Sequence, residues 1–299
     1  MFNSISKMKP SLFIILLLLP FCILAQDSLS THYKIYSSSK QKIVTLDEIA
    51  ADMTGADVLF FGEEHNDSTG HYLEQAMFKK LADKYPGRVA LSMEMFETDC
   101  QIPLNEYLAG FIREKNFITE ARAWKNYKDY RSMIELAKAS YISVTVVNAS
   151  VRYVNMTNRL SLTSLQQLDA TGKAFLPPLP IDTATGTYYD KFVEVMGGHE
   201  AVNKSKVFQA QNLWDATMGY NIAKTYKAHH GFKIFQVNGG FHSEEKLGTA
   251  AQLKKYAPNI RILNIAAYAD DNFSNPDWSK FTTKGDYIIL TDPKLPKTF

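Results

Sequence analysis

Val58-Leu59-Phe60-Phe61-Gly62-Glu63-Glu64-His65 decides how the rest of the chain is read. Four apolar residues in a row, closed by glycine, mark a strand buried on both faces, as in a parallel sheet. A helix is expected downstream from about 70 to 85, with Leu73, Ala76, Met77 and Leu81 on one face. Further strands are expected at 89–96, 142–147, 232–237, 260–265 and 287–290, with helical segments between most of them. One of these runs from about 204 to 228, and another starts at Ser243. Upstream, Thr45 and Glu48 carry the spacing of a capping box and open a short helix. The stretch 26–44 reads as a polar lead-in.

Alternating strands and helices predict an α/β fold, a mainly parallel sheet covered by helices on both faces. The stretches 97–139 and 155–228 are longer than one crossover needs, and Pro177, Pro178 and Pro180 break the second. They are expected to form a helical cap over the C-terminal strand edge.

Residues 1–25 read as a secretory leader. Lys7 and Lys9 precede an apolar run from Leu12 to Leu24, and Ala25 supplies the small residue for a cut before Gln26. The run falls short of the roughly 20 residues that span a bilayer. A lipid anchor on Cys22 would want a small residue where Phe21 stands, so a soluble exported chain is expected instead. Residues 26–299 then form a single domain in the periplasm or cell envelope. Two of the 33 basic residues leave with the leader, which balances the rest against 31 acidic ones. No basic excess remains to attract nucleic acid. Cys100 is left as the one cysteine, expected as a plain buried thiol, so the core alone must hold the domain.

The reactive residue types gather at strand ends. His65 follows the first parallel strand in Gly62-Glu63-Glu64-His65, and His242 follows a later one in Gly239-Gly240-Phe241-His242. Glu94 lies near the end of another strand, and Asn148 ends a fourth. In a parallel sheet these ends share one edge, outside which ligands bind. A position near a helix N-terminus is expected to keep both imidazoles neutral and able to ligate a metal. Gln211, Trp214, Asp215 and Met218 fall on one stripe of the long helix, and that face is expected to border the pocket. Arg152 and Tyr153 follow Asn148 within reach of a ligand carboxylate and a metal. His71 sits one turn into the first helix, as packing or as a contact behind the site. His229-His230 reads as a charge pair at a helix C-terminus. No Gly-x-Ser-x-Gly elbow and no glycine-rich phosphate loop is present, which argues against a serine hydrolase and a nucleotide enzyme.

These residues, with Trp124, Tyr127, Tyr130 and the run Ala210 to Met218, occur in an order that resembles the ChaN-like haem-binding uptake family of the Tiki superfamily. The resemblance covers about 45–268. It implies an envelope protein that binds haem in iron acquisition, as a homodimer with haem between subunits and an outer-membrane haem receptor as partner. Under it, Tyr153, Tyr127 or Tyr130 supplies a phenolate, and His65 or His242 ligates or hydrogen-bonds. Phe96, Trp214, Met218 and Phe241 form walls, and Arg152 meets a propionate. Asn148 and Gln211 complete the expected haem-contacting set. Many members look like lipoproteins, from which this leader departs. The superfamily also includes metal-dependent proteases and is related to erythromycin esterases. That alternative is a hydrolase in which His65, Glu94 and His242 hold a divalent metal such as Zn or Mn, with Glu63 or Glu64 as general base.

Overall fold

The structure, a computed structural model, describes residues 29–203 and 206–299. The expected leader and Cys22 lie outside the described residues. Eight strands build one sheet: β1 (Tyr33–Ser37), β2 (Lys42–Ile43), β3 (Val58–Glu63), β4 (Val89–Glu97), β5 (Ser143–Asn148), β6 (Lys233–Gly239), β7 (Ile262–Ala269) and β8 (Tyr287–Thr291). Their spatial order is β2-β1-β8-β7-β3-β6-β4-β5. From β8 to β5 every neighbouring pair is parallel, and only β1 and β2 join antiparallel at one edge.

That edge hairpin corrects the expected lead-in at 26–44. Tyr33-Lys34-Ile35-Tyr36-Ser37 alternates, burying Ile35 and Ser37 on the sheet, so a short polar-looking segment pairs with β8. The capping box is present, with the Thr45 side chain on the Glu48 amide and Glu48 returning to the Thr45 amide.

β3 is buried along its whole length because both of its faces are covered. Leu59 and Phe61 pack with Leu91, Met93, Phe235 and Val237 against Leu73, Met77, Phe78 and Leu81 of the helix Ser68–Lys84. Much of 97–139 joins the same layer through Phe117, Tyr130, Met133 and Ile134. Val58 and Phe60 face the other way, onto Met218 and Ile222 of the helix Val207–Ala228 and Ala250 and Leu253 of Thr249–Tyr256. Each buried side chain of this kind contributes about 1.5–3 kcal/mol, which is why a continuous apolar run must sit mid-sheet. Cys100 is a buried, free thiol.

The chain leaves β3 toward the helix on the first face and leaves β6 toward the helix on the second. Since β3 and β6 are neighbours, the crevice between their C-terminal ends is a topological switch point. The helix expected from Ser243 begins later, at Thr249. Glu245, Lys246 and Gly248 adopt positive φ, which interrupts helical geometry before that point.

Candidate functional site

The two Gly-x-x-His turns interlock. In the parallel register Gly62 stands beside Asn238 and Glu63 beside Gly239, so the turns leave the sheet side by side. A Cβ on Gly239 would lie 2.7 Å from Nε2 of His65. A Cβ on Gly62 would lie 2.8 Å from Oγ of Ser243 and 3.0 Å from Cα of Gly240. Each motif's leading glycine therefore makes room for the other turn.

His65 places Nδ1 2.7 Å from Oε1 of Glu63, which also accepts a 2.7 Å hydrogen bond from the Tyr130 hydroxyl. The edge of Trp124 packs on the imidazole with ring centroids 5.2 Å apart. About 38% of the His65 side chain stays exposed, whereas the Glu63 carboxylate is enclosed. Burial alone would raise the Glu63 pKa, but contacts with His65 and His71 hold it well below the usual carboxylate range.

His242 is enclosed. Its Nδ1 lies 2.7 Å from Oδ1 of Asp215 and its Nε2 3.6 Å from Oε1 of Glu94. Asp215 in turn accepts from Thr249 and Tyr188, and Gln211 donates to the Tyr188 hydroxyl. Trp214 stands edge-on to the imidazole at 6.4 Å. Glu94 reaches this point because β4 loses its register with β5 between Met93 and Glu97. An irregularity of this kind re-aims a side chain, and Oε2 of Glu94 accepts the Gly239 amide at 2.7 Å.

The surroundings of the two imidazoles differ from the helix ends expected for them. Burial disfavours charge on His242, yet the Glu94 and Asp215 carboxylates outweigh it and push the pKa up to about 9. His65 is raised in the same way, against its burial, by Glu63 and Glu94. Neither ring caps a helix: Asp67 caps Ser68–Lys84, and His242 lies in a 3-10 turn well before Thr249. Carboxylates in contact exceed a helix dipole that fades within one turn.

A family model described as haem-binding uptake, Tiki superfamily, ChaN matches residues 49–253. The chain belongs to this family. The structure of ChaN from Campylobacter jejuni with cofacial haem is similar at a TM-score of 0.64 and 17% identity, covering 87% of this chain and 97% of that one. A succinoglycan biosynthesis protein follows at 0.51 and 12%, covering 84% and 91%. An erythromycin esterase reaches 0.44 at 8%, covering 79% and 76%. No curated protein matches the chain in sequence.

In this ChaN-family chain the fold brings His65, Glu63, Glu94, His242, Gln211 and Trp214 to one edge. Other expected site residues stand elsewhere. Glu64 turns away, accepting the Ala269 amide at 3.2 Å with Lys297 3.7 Å from its other oxygen. Met218 is buried in the apolar core with Val58 and Phe60. Phe96 packs on Phe117 and Tyr127, and Phe241 on Tyr188 and Phe192. Asn148 ends β5 and bonds the amide of Ala149. Arg152 pairs with Asp99 and lies over the ring of Tyr153, whose hydroxyl faces Gly172. Tyr188, Thr249 and Glu74 were missed. Only Glu74 had a signal, its three-residue spacing from His71 on one helix.

Proposed function

We propose that the protein is an exported envelope protein that binds haem at the C-terminal edge of β3, β6 and β4 and carries it in iron uptake, without a chemical step. Membership of the ChaN family supports haem as the ligand. One observation carries the choice of site: His65 offers a partly exposed imidazole with Nδ1 already held by an enclosed carboxylate and an indole on its flank. An imidazole held in place beside an aromatic wall would suit ligation of haem iron.

The other expected donors fit less well. Tyr130 is fully buried and donates to Glu63, and burial first, then Glu63 and Glu74, raises its pKa. Tyr127 is buried near Glu114, and burial followed by that carboxylate raises it too. The Tyr153 hydroxyl lies against Gly172. Arg152 keeps 47% of its side chain exposed but is paired with Asp99, so it would meet a propionate only by exchanging that partner. When bound, haem would supply an iron centre and an apolar face; Glu63 would orient His65, and Asp215 and Glu94 would orient His242. Pairing of two chains over haem, exchange with an outer-membrane haem receptor, and export directed by residues 1–25 complete the proposal.

An absorption titration with ferric haem tests it, comparing the wild type with His65→Ala, His242→Ala and Tyr153→Phe. A saturable Soret change that His65→Ala weakens is expected. A titration matching haem added to an unrelated protein overturns haem binding, and a loss confined to Tyr153→Phe moves the ligand to the phenolate.

Metal-dependent hydrolysis is favoured by one feature. Asp215 behind Nδ1 of His242, with Glu94 near Nε2, is the carboxylate–histidine arrangement that orients metal ligands. Its general base is the weak part, since Glu63 is engaged by His65 and Tyr130 and Glu64 faces Ala269. Stoichiometric Zn or Mn held by His65, Glu94 and His242, with no haem uptake, would establish that alternative.

A further inference from the structure

Behind Glu63 lies a second polar cluster that the haem edge does not use. His71 and Glu74 are three residues apart on the helix Ser68–Lys84, a spacing that puts both on one face. One donor atom from each of Glu63, His71 and Glu74 falls within 4.8 Å of the other two. All three residues are buried, and Glu74 has no exposed surface. Oε2 of Glu63 lies 3.2 Å from Nε2 of His71 but misaligned for a hydrogen bond. Both carboxylate oxygens of Glu74 and both ring nitrogens of His71 also lack hydrogen-bond partners.

Enclosed polar atoms without partners are costly, and most proteins satisfy them. Here one such atom from each of three side chains meets the other two within 4.8 Å, and two of the three groups are carboxylates that repel one another unless neutralised. A divalent cation answers both demands. It balances two carboxylates and accepts a lone pair from each of the three side chains. Oε1 of Glu63 is already held by Tyr130 and faces Nδ1 of His65. That leaves Oε2 directed into the cluster and fixes its orientation, as outer partners fix metal ligands.

We propose that Glu63, His71 and Glu74 form a buried divalent-metal site, separate from the edge formed by His65, Glu94 and His242. Two carboxylates and one imidazole suit Mn, Fe(II) or Zn. Calcium, which takes six to eight oxygens, fits this set poorly. Glu63 then serves two neighbours, with one oxygen on the metal and the other on His65, so metal occupancy sets how firmly that imidazole is held.

Equilibrium dialysis of the chelator-stripped full chain against Mn2+ or Zn2+, followed by metal analysis and thermal unfolding, tests this site. About one ion per chain and a rise in Tm are expected for the wild type and for His242→Ala. Binding weaker by about tenfold or more is expected for Glu74→Gln and His71→Gln. Retention by Glu74→Gln with loss in His242→Ala would place the metal at the edge instead and overturn the proposal. So would absence of stoichiometric binding of either ion by the wild type. Should the variants fail to fold, X-ray absorption of the loaded wild type decides: one imidazole in the coordination shell supports the buried site, and two refute it. The Soret titration reads haem separately, so either proposal can fail alone.

Discussion

Two turns with the same Gly-x-x-His lettering rest on opposite kinds of support. Behind His242, Asp215 binds the imidazole, Thr249 and Tyr188, and each of these polar groups has a partner. Behind His65, Glu63 binds the imidazole and Tyr130, but its second oxygen faces His71 and Glu74, whose polar atoms have none. The difference shows that a short motif fixes where a histidine sits and says little about what holds it. One half is satisfied by its own side chains; in the other, buried polar atoms have no hydrogen-bond partner.

The sharpest way to break this contrast is to remove one central carboxylate from each half. Asp215→Ala leaves His242 enclosed without its counter-charge and strips acceptors from Tyr188 and Thr249, so a loss of about 3–5 kcal/mol is expected by chemical denaturation. A loss below about 1 kcal/mol would mean that the His242 half is not held through Asp215.

Raising pH probes the same pair without mutation. The His242 pKa is raised from 6.5 to about 9 in the folded chain. Its stabilisation is therefore complete below about pH 6.5 and lost as pH climbs through about 9. The Tm of the wild type should fall across that window more steeply than that of His242→Gln. Parallel profiles would assign the charge elsewhere.

Gly239→Ala tests the interlock between the halves. Its methyl meets His65, so a cost of about 1–3 kcal/mol and weaker haem uptake are expected. Unchanged haem affinity would show that the position of His65 is not set by this contact.

The smallest effect is expected in the His65 half, with the opposite sign. Burial and the neighbouring Glu63 raise the Glu74 pKa well above the ordinary value. In chelator-stripped protein Glu74→Gln should be neutral or stabilising by about 1 kcal/mol. A large loss would mean that Glu74 carries a structural bond in the metal-free state.

The parallel sheet was legible because Val58 to Phe61 has no polar face, and β4, β5, β6 and β8 were each expected within two residues of their observed bounds. The edge strands β1 and β2 were not, since short alternating segments carry little signal until a partner strand is present. In the site, His65 and His242 stood out through their matching turns. The helix ends on which their protonation was read turn out not to be beside them, and the carboxylates that raise both pKa values come from other strands and helices.

What the sequence alone determined was the α/β class, the family, and the placement of two histidines just past strand ends. These follow from local periodicity and from motifs a few residues long. The tertiary structure alone decided that β3 and β6 lie side by side, that each leading glycine yields space to the other turn, and that Asp215 and Glu74 stand behind different histidines. The reason is physical: Gly62 and Gly239 are separated by most of the chain, and contacts between such distant segments arise from strand order and packing, which no local pattern encodes.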